Sequence, residues 1–135
     1  MAIAFIIILI HFIADFVLQT EEMAVNKSKD GHALFSHVLT YSTVWLFASC
    51  LLLGYSRHNE NYWWYVENSI LFFGTTFLFH YWTDYITSRI TSRKFANKEY
   101  YAKFPRLGAF AVIGFDQVLH YAQLFYTYHF IITHK

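Results

Sequence analysis

The stretch FHYWTDY at residues 79–85 places His80 four positions before Asp84, deep inside an apolar and aromatic segment. Residues four apart share one face of an α-helix, so the two polar side chains point in the same direction. An otherwise apolar helix has no structural need for an ionisable pair at this position. The stretch therefore predicts a helix that presents a histidine and a carboxylate together to its neighbours.

The same spacing occurs in two further apolar segments, as His11 with Asp15 and, in reversed order, as Asp116 with His120. A fourth apolar segment contributes a single histidine, His37. We interpret the rest of the chain as the scaffold that brings these residues into one site. The candidate site residues are His11, Asp15, His37, His80, Asp84, Asp116 and His120.

The composition indicates a membrane protein. The chain has 135 residues, of which 56% are hydrophobic and only 14% charged, whereas soluble domains carry about 25% charged residues. Its four apolar segments are each near the ~20 residues that cross a bilayer core, and backbone groups in lipid must be paired internally. We expect one all-α domain over residues 1–135, an integral membrane bundle of four transmembrane helices at about 2–19, 33–54, 65–90 and 107–132. Two helical hairpins in water are the alternative, but too little polar surface would remain to cover them.

The positive charges predict an orientation. Loops 20–32 and 91–106 carry most of the lysines and arginines, and the positive-inside rule places both loops in the cytoplasm. The expected location is a bacterial inner (plasma) membrane, with the basic loop 91–106 partly lying on its surface because aromatic residues are interleaved there. The net charge of +1 provides no global field for nucleic acid, so no nucleic-acid partner is expected.

This orientation gives the polar pairs a common depth. Segments 2–19 and 65–90 run inward with histidine before aspartate, and segment 107–132 runs outward with the order reversed. Each aspartate is therefore nearer the cytoplasm than its histidine, and His37 enters its segment from the same side. At a rise of ~1.5 Å per residue, all seven residues fall within roughly two to three helical turns. The sequence predicts one site in the cytoplasmic half of the bundle.

Four imidazoles and three carboxylates without a thiolate suit one or two divalent ions of Zn, Mn or Fe. We expect the histidines to be nitrogen ligands and the aspartates to be oxygen ligands, with one of Asp15, Asp84 and Asp116 free as the catalytic base. The simpler alternative is a set of His–Asp hydrogen bonds that pin helices together. Gln19 and Gln117 are either supporting donors or ordinary interhelical hydrogen bonds.

Other polar residues have simpler explanations. Lys27, Arg89 and Arg93 are candidates to meet an anionic substrate at the cytoplasmic mouth, although the positive-inside pattern is the preferred explanation for each residue alone. Cys50, the only cysteine, is expected to pack as a small hydrophobe. Four remaining histidines are not expected to be ligands: His32, His58, His129 and His134.

The motifs resemble a family of small integral membrane proteins of unknown function from bacteria and their phages. The resemblance is carried by HFIADFVLQ at residues 11–19, Asn26 with Lys27, His37, the HxxxD motif at 80–84 and the DQxxH motif at 116–120. It spans nearly the whole chain. A looser similarity to membrane-bound metal-dependent hydrolases implies a metal site built from histidines and aspartates on transmembrane helices.

Together these features predict a membrane-embedded metal-dependent hydrolase that acts on an anionic lipid or lipid-linked substrate from the cytoplasmic side, with a di-iron oxidase as a variant. A proton or divalent-cation transporter or channel is one alternative, disfavoured because the outer half of the segments has few ionisable groups. The other alternative is a non-catalytic, metal-stapled membrane protein that binds a host membrane partner. The lipid bilayer is an expected partner in each case, and a homo-oligomer is an open alternative to a monomer.

Overall fold

The computed structural model describes residues 2–134. Over this range the chain is 81% helical and contains no β-strand, which confirms the all-α class. Helix α1 continues directly into a π-helical turn, and the helical segment ends with that turn. The elements in chain order are α1 (Ala2–Phe12), the π-helical turn (Ile13–Val17), α2 (Glu21–Asn26), α3 (Gly31–Ser56), α4 (Tyr62–Ala96) and α5 (Ala109–Thr133).

Helix α2 lies within the predicted loop 20–32 and was not expected. Thr20 caps it by accepting a hydrogen bond from the Met23 backbone N–H at 3.2 Å, and Glu21 and Glu22 occupy its first turn. A hydroxyl cap and early acidic residues both stabilise the positive end of a helix. Asp30 caps the next helix in the same way, so α3 begins before the predicted residue 33.

Helix α4 extends beyond both ends of the predicted segment 65–90. Asn61 caps its start by accepting from the Trp64 N–H at 2.9 Å, and Arg93 and Lys94 lie in its last turn, where basic side chains favour the helix dipole. The first six residues of the predicted loop 91–106 are therefore helical. The cause is that hydropathy marks only the apolar part of a helix, whereas capping and charge determine where it ends.

One described helix, α3, is both long and apolar enough to cross a membrane, whereas four were predicted. The apolar stretch Ala2–Val17 is shorter. Helices α4 and α5 have sufficient length, but their ionisable pairs and their many tyrosines and tryptophans lower the mean hydropathy. By length and composition alone, membrane association is supported weakly and by a single helix.

Helix α4 packs between α3 and α5, while α1 closes the bundle against α5 and the π-helical turn contacts α3. The apolar core occupies one end of this bundle, around Trp45, whose ring stacks on Phe72 at a centroid distance of 5.3 Å. Ile7 and Leu124 complete this layer from the other two helices. Cys50 is exposed rather than packed, contrary to expectation, because its side of α3 faces away from the bundle.

Candidate metal centre

All seven predicted site residues lie together at the end of the bundle opposite the apolar core. His11 ends α1, Asp15 lies in the π-helical turn, and α3, α4 and α5 supply the others. Six of the seven are buried, and the side chain of Asp116 retains 13% exposure. The burial of so many ionisable groups is costly unless they are paired or bind an ion.

Four donor atoms lie close together in a group that we call the first site, and three of them, from Asp15, His37 and His80, are all within 4.8 Å of one another. His37 Nε2 lies 3.1 Å from His80 Nε2, 3.2 Å from Asp15 Oδ1 and 3.2 Å from Asp84 Oδ2. His80 Nε2 lies 3.6 Å from the same two carboxylate oxygens. Ligands at about 2.0–2.1 Å from a tetrahedral ion are separated from one another by about 3.3 Å. The donor spacing of the first site therefore matches a coordination shell.

A second group of donors shares two residues with the first site. His80, Asp84 and His120 have ligand atoms within 4.8 Å of one another. His120 Nε2 lies 3.2 Å from Asp84 Oδ1 and 3.5 Å from Asp116 Oδ2. Asp84 thus directs one carboxylate oxygen to each group, and buried histidines and aspartates are positioned to hold a metal ion in both.

His11 lies beside these groups rather than in them. Its Nδ1 is 2.7 Å from the Tyr41 hydroxyl and its Nε2 is 2.7 Å from Gln117 Oε1, whereas its nearest aspartate oxygen, Asp15 Oδ2, is 3.8 Å away. Both ring nitrogens are therefore already hydrogen-bonded. The π-helical turn begins two residues after His11 and contains Asp15.

Gln117 connects the carboxylates. Its Nε2 donates to Asp15 Oδ2 at 3.2 Å and to Asp116 Oδ2 at 3.1 Å, while its Oε1 faces His11. The Thr87 hydroxyl donates to Asp116 Oδ1 at 2.5 Å. Such hydrogen bonds fix the orientation of candidate ligands, so Gln117 belongs to the site rather than to ordinary helix packing.

Lys27 also enters the cluster, although the sequence pattern alone does not place it there. Its Nζ donates to Asp84 Oδ2 at 2.8 Å and lies 3.4 Å from His37 Nε2. Burial alone would lower the pKa of Lys27, but the charges of Asp84 and Asp15 outweigh that effect and raise it. Lys27 is therefore a cation. It reaches the site because α2, which immediately precedes it, turns the chain back toward the bundle.

Two buried polar atoms of the cluster have no hydrogen-bond partner: Asp15 Oδ1 and His80 Nδ1. Asp15 Oδ1 is one of the four donors of the first site. His37 Nε2 lies 3.2 Å from this oxygen but outside normal hydrogen-bonding geometry. A buried carboxylate oxygen without a well-aligned hydrogen bond loses part of its hydration energy. A cation coordinated by this oxygen would offset that loss, so the residues present fit a bound metal ion.

A cavity of about 360 Å³ adjoins the cluster on the side of α2. This volume is at the lower end of the range of small-molecule pockets, about 300–1,000 Å³. The cavity gives a ligand access to the carboxylates from one end of the bundle. Its polar lining consists of Asp15, Gln19, Lys27, Ser28, Asp84, Thr87, Ser88, Thr91, Ser92, Asp116 and Gln117.

The other polar residues considered lie elsewhere. Within residues 2–134, the wall of this cavity includes neither Arg89 nor Arg93. Arg89 instead packs over the ring of Tyr85, 3.7 Å from its centroid. The four histidines that were not expected to be ligands are all exposed: His32, His58, His129 and His134.

The fold and the cluster define an all-helical protein with buried histidines and aspartates positioned to hold a metal ion. The chain belongs to a family described as proteins of unknown function, DUF3307, whose model matches residues 3–135. No curated protein and no solved structure matches the chain significantly. The expected membership in a family of unknown function is thereby confirmed; the family description gives no activity.

Proposed function

We propose that this protein is a membrane-embedded metal-dependent hydrolase with one divalent ion in the first site. The observation that carries the proposal is the convergence of His37, His80, Asp15 and Asp84 at the spacing of a coordination shell. A single imidazole nitrogen binds one ion, and the second group of donors shares both His80 and Asp84. The two groups are therefore not independent, and we propose one ion of Zn, Mn or Fe.

The surroundings of the first site support a catalytic rather than a purely structural ion. A divalent ion held by the four donors would admit a water as a fifth ligand during turnover and would lower the pKa of that water toward neutrality. Asp116 lies outside the four donors, lines the cavity and is the most exposed member of the cluster, so we assign it as the general base. His120 lies between Asp116 and Asp84, with its Nε2 3.5 Å from Asp116 Oδ2 and 3.2 Å from Asp84 Oδ1. Thr87 and Gln117 hold the Asp116 carboxylate in orientation.

The surface supports a bilayer as the surroundings. Large apolar side chains cover the outside of the helices, including Phe47, Leu51 and Phe79, and Leu51 is 77% exposed. Exposed apolar surface of this extent is typical of contact with lipid or with another protein. We propose that α1 with its π-helical turn, α3, α4 and α5 form a four-helix bundle in a bacterial inner membrane, with loops 20–32 and 91–106 in the cytoplasm.

The lining of the cavity supports a lipid or lipid-linked substrate. Apolar side chains, including Phe16, Val25, Phe95 and Ile113, share its wall with the polar residues of the cluster. Such a wall suits a molecule with both an anionic and an apolar part. Access from one end also favours hydrolysis over transport, because the stacked rings of Trp45 and Phe72 lie across the bundle beyond the cluster.

The test compares metal content and hydrolysis in detergent-purified protein. The wild type should hold about one ion per chain and hydrolyse p-nitrophenyl phosphate or short-chain phosphatidic acid. Asp116→Asn should keep the ion but lose activity by about 10²–10⁴-fold, which is the usual contribution of a general base. Exposed His129→Ala is the matched control and should change neither quantity.

Each alternative outcome has a distinct meaning. Unchanged activity in Asp116→Asn would refute the assignment of the base. A bound ion without hydrolysis of any ester would favour the non-catalytic, metal-stapled protein that binds a host membrane partner. Absence of a bound ion after reloading would overturn the proposal and direct attention to proton or cation flux.

A further inference from the structure

We infer that Lys27, with the Ser88 hydroxyl, forms an anion-binding subsite that recognises the phosphate group of the substrate. The inference rests on the proposed function, because an anion would approach the cluster only when a metal ion is present. It assigns the substrate class as a phosphate ester and gives Lys27 a role in binding the substrate. The two polar groups come from different parts of the chain, directly after α2 and in the last third of α4.

The charges of the cluster favour such a group. Three carboxylates contribute negative charge, of which a divalent ion would offset only part. The ammonium of Lys27, 2.8 Å from Asp84 Oδ2, adds positive charge that attracts a phosphate ester. In the described part of the chain, Lys27 is also the one basic side chain in the wall of this cavity.

The position of the ammonium suits contact with a substrate bound at the ion. Lys27 Nζ lies 2.8 Å from Asp84 Oδ2, which is itself a donor of the first site. An ammonium has three N–H groups, and the bond to Asp84 uses one of them. An oxygen of a phosphate group that reaches the ion is therefore within range of the remaining donors.

Two further polar groups in the cavity wall have unused hydrogen-bonding capacity. Ser88 Oγ and Gln19 Oε1 are buried atoms without a hydrogen-bond partner, and both residues line the cavity. A hydroxyl donates readily to a phosphate oxygen, and the Gln19 carbonyl accepts from a protonated oxygen or a bound water. Thr91 and Ser92 follow Ser88 at helical spacing and line the same wall further along α4.

The shared ligand chemistry is a phosphate ester, from either a lipid headgroup or a soluble molecule. The apolar part of the wall around Phe16 and Phe95 favours a phosphate attached to an apolar chain. A soluble phosphate ester would use Lys27 and Ser88 equally but would gain nothing from those rings. The ratio of the affinities for a lipid phosphate and a soluble phosphate ester therefore shows which of the two classes is the substrate.

In the experiment, detergent-purified, zinc-loaded protein is titrated with inorganic phosphate, and isothermal titration calorimetry measures the affinity. Lys27→Met should weaken phosphate binding by about tenfold or more, since a hydrogen bond to a charged group contributes about 1.5–3 kcal/mol. Ser88→Ala should weaken it by a few-fold. Lys29→Met, which removes a nearby exposed lysine, should bind phosphate like the wild type. Zinc stoichiometry should be the same in all four proteins.

The outcomes separate this inference from the proposed function. Phosphate affinity of Lys27→Met within twofold of the wild type, with zinc bound, would overturn the subsite and leave the metal site standing. Loss of zinc from Lys27→Met alone would make Lys27 part of the metal site and also overturn the subsite. Failure of the wild type to bind zinc, manganese or iron would refute the proposed function itself, and the subsite with it.

A second titration distinguishes the two sources of phosphate. Short-chain phosphatidic acid that binds tighter than glycerol phosphate, in the same detergent, would identify a lipid headgroup. Equal affinity would identify a soluble phosphate ester. In either case the affinity should fall in Lys27→Met and not in Lys29→Met.

Discussion

The two ends of the helical bundle are equally buried but are filled by opposite kinds of side chain. At one end, Trp45 stacks on Phe72, and Ile7 and Leu124 fill the remaining space with apolar atoms. At the other end, the same four helical segments meet through imidazoles and carboxylates, including His80 and Asp84, which are equally buried. The apolar end explains why the helices associate. Lys27 offsets only part of the negative charge at the polar end, so this end costs free energy in the absence of a metal ion, which indicates a functional role.

The largest effect at the polar end is expected from the removal of His80, the histidine that belongs to both groups of donors. His80→Ala should abolish tight metal binding, because the first site loses one of four donors and the second group loses the same residue. The measurement is zinc affinity by competition with a chelator, with an expected loss of more than about 100-fold. His80→Gln, which retains more of the buried volume, should lose zinc as well while remaining folded, and wild-type affinity in either variant would contradict the assignment.

A complementary variant should destabilise the apolar end and spare the polar end. Trp45→Ala removes a fully buried ring and should lower the free energy of unfolding by about 3–5 kcal/mol. The remaining folded protein should still bind one zinc ion. Phe47→Ala, on an exposed face of the same helix, should have little effect. If Trp45→Ala lost zinc under conditions in which all of the protein is folded, metal binding at the polar end would depend on packing at the apolar end.

A third variant addresses the support of the carboxylates. Gln117→Ala removes the hydrogen bonds to Asp15 and Asp116, so zinc affinity should fall by about 10–100-fold. Gln123→Ala is the matched control on the same helix, since Gln123 bonds to Thr76 and Thr127 away from the cluster. Zinc affinity should be unchanged in that control. Equal effects of the two substitutions would reduce the role of Gln117 to helix packing.

The smallest effect is expected where the two ends meet. Tyr41→Phe keeps the ring that stacks on His80 at 4.0 Å but removes the hydroxyl next to His11. The loss leaves a buried histidine nitrogen without a partner and should lower stability by about 1–3 kcal/mol. Zinc affinity should change by no more than a few-fold, because His11 lies outside the donor groups. Chemical denaturation and chelator competition measure the two quantities, and abolished zinc binding would instead place His11 among the ligands.

The sequence predicted the parts of this site that depend on helical periodicity. The four-residue spacing of His80 with Asp84 and of Asp116 with His120 is preserved in regular α-helices, and their reversed order matches antiparallel segments. The spacing of His11 and Asp15 was less informative. A π-helical turn begins between them, and no residue pattern in an apolar segment predicts that change of period.

Lys27 and Gln117 were harder to assign because their roles depend on tertiary structure. Lys27 reaches Asp84 only because the short helix α2 redirects the chain within what hydropathy marks as a loop. Gln117 follows Asp116 directly, and its amide alone does not indicate which neighbours it will contact. Four membrane-crossing helices were expected, whereas by length and hydropathy only α3 qualifies among the described residues. The residues that build the site are themselves polar and lower the hydropathy of α4 and α5.

The most direct test of the central claim is X-ray absorption spectroscopy of the zinc-loaded protein in detergent. We predict one ion per chain with four nitrogen or oxygen ligands at about 2.0–2.1 Å, outer-shell scattering from two imidazoles, and no sulfur ligand. The two imidazoles would be those of His37 and His80, and the signal of one should be lost in His37→Gln. A protein that retains no zinc, or zinc without imidazole scattering, would contradict the claim that the buried histidines and aspartates form a metal centre.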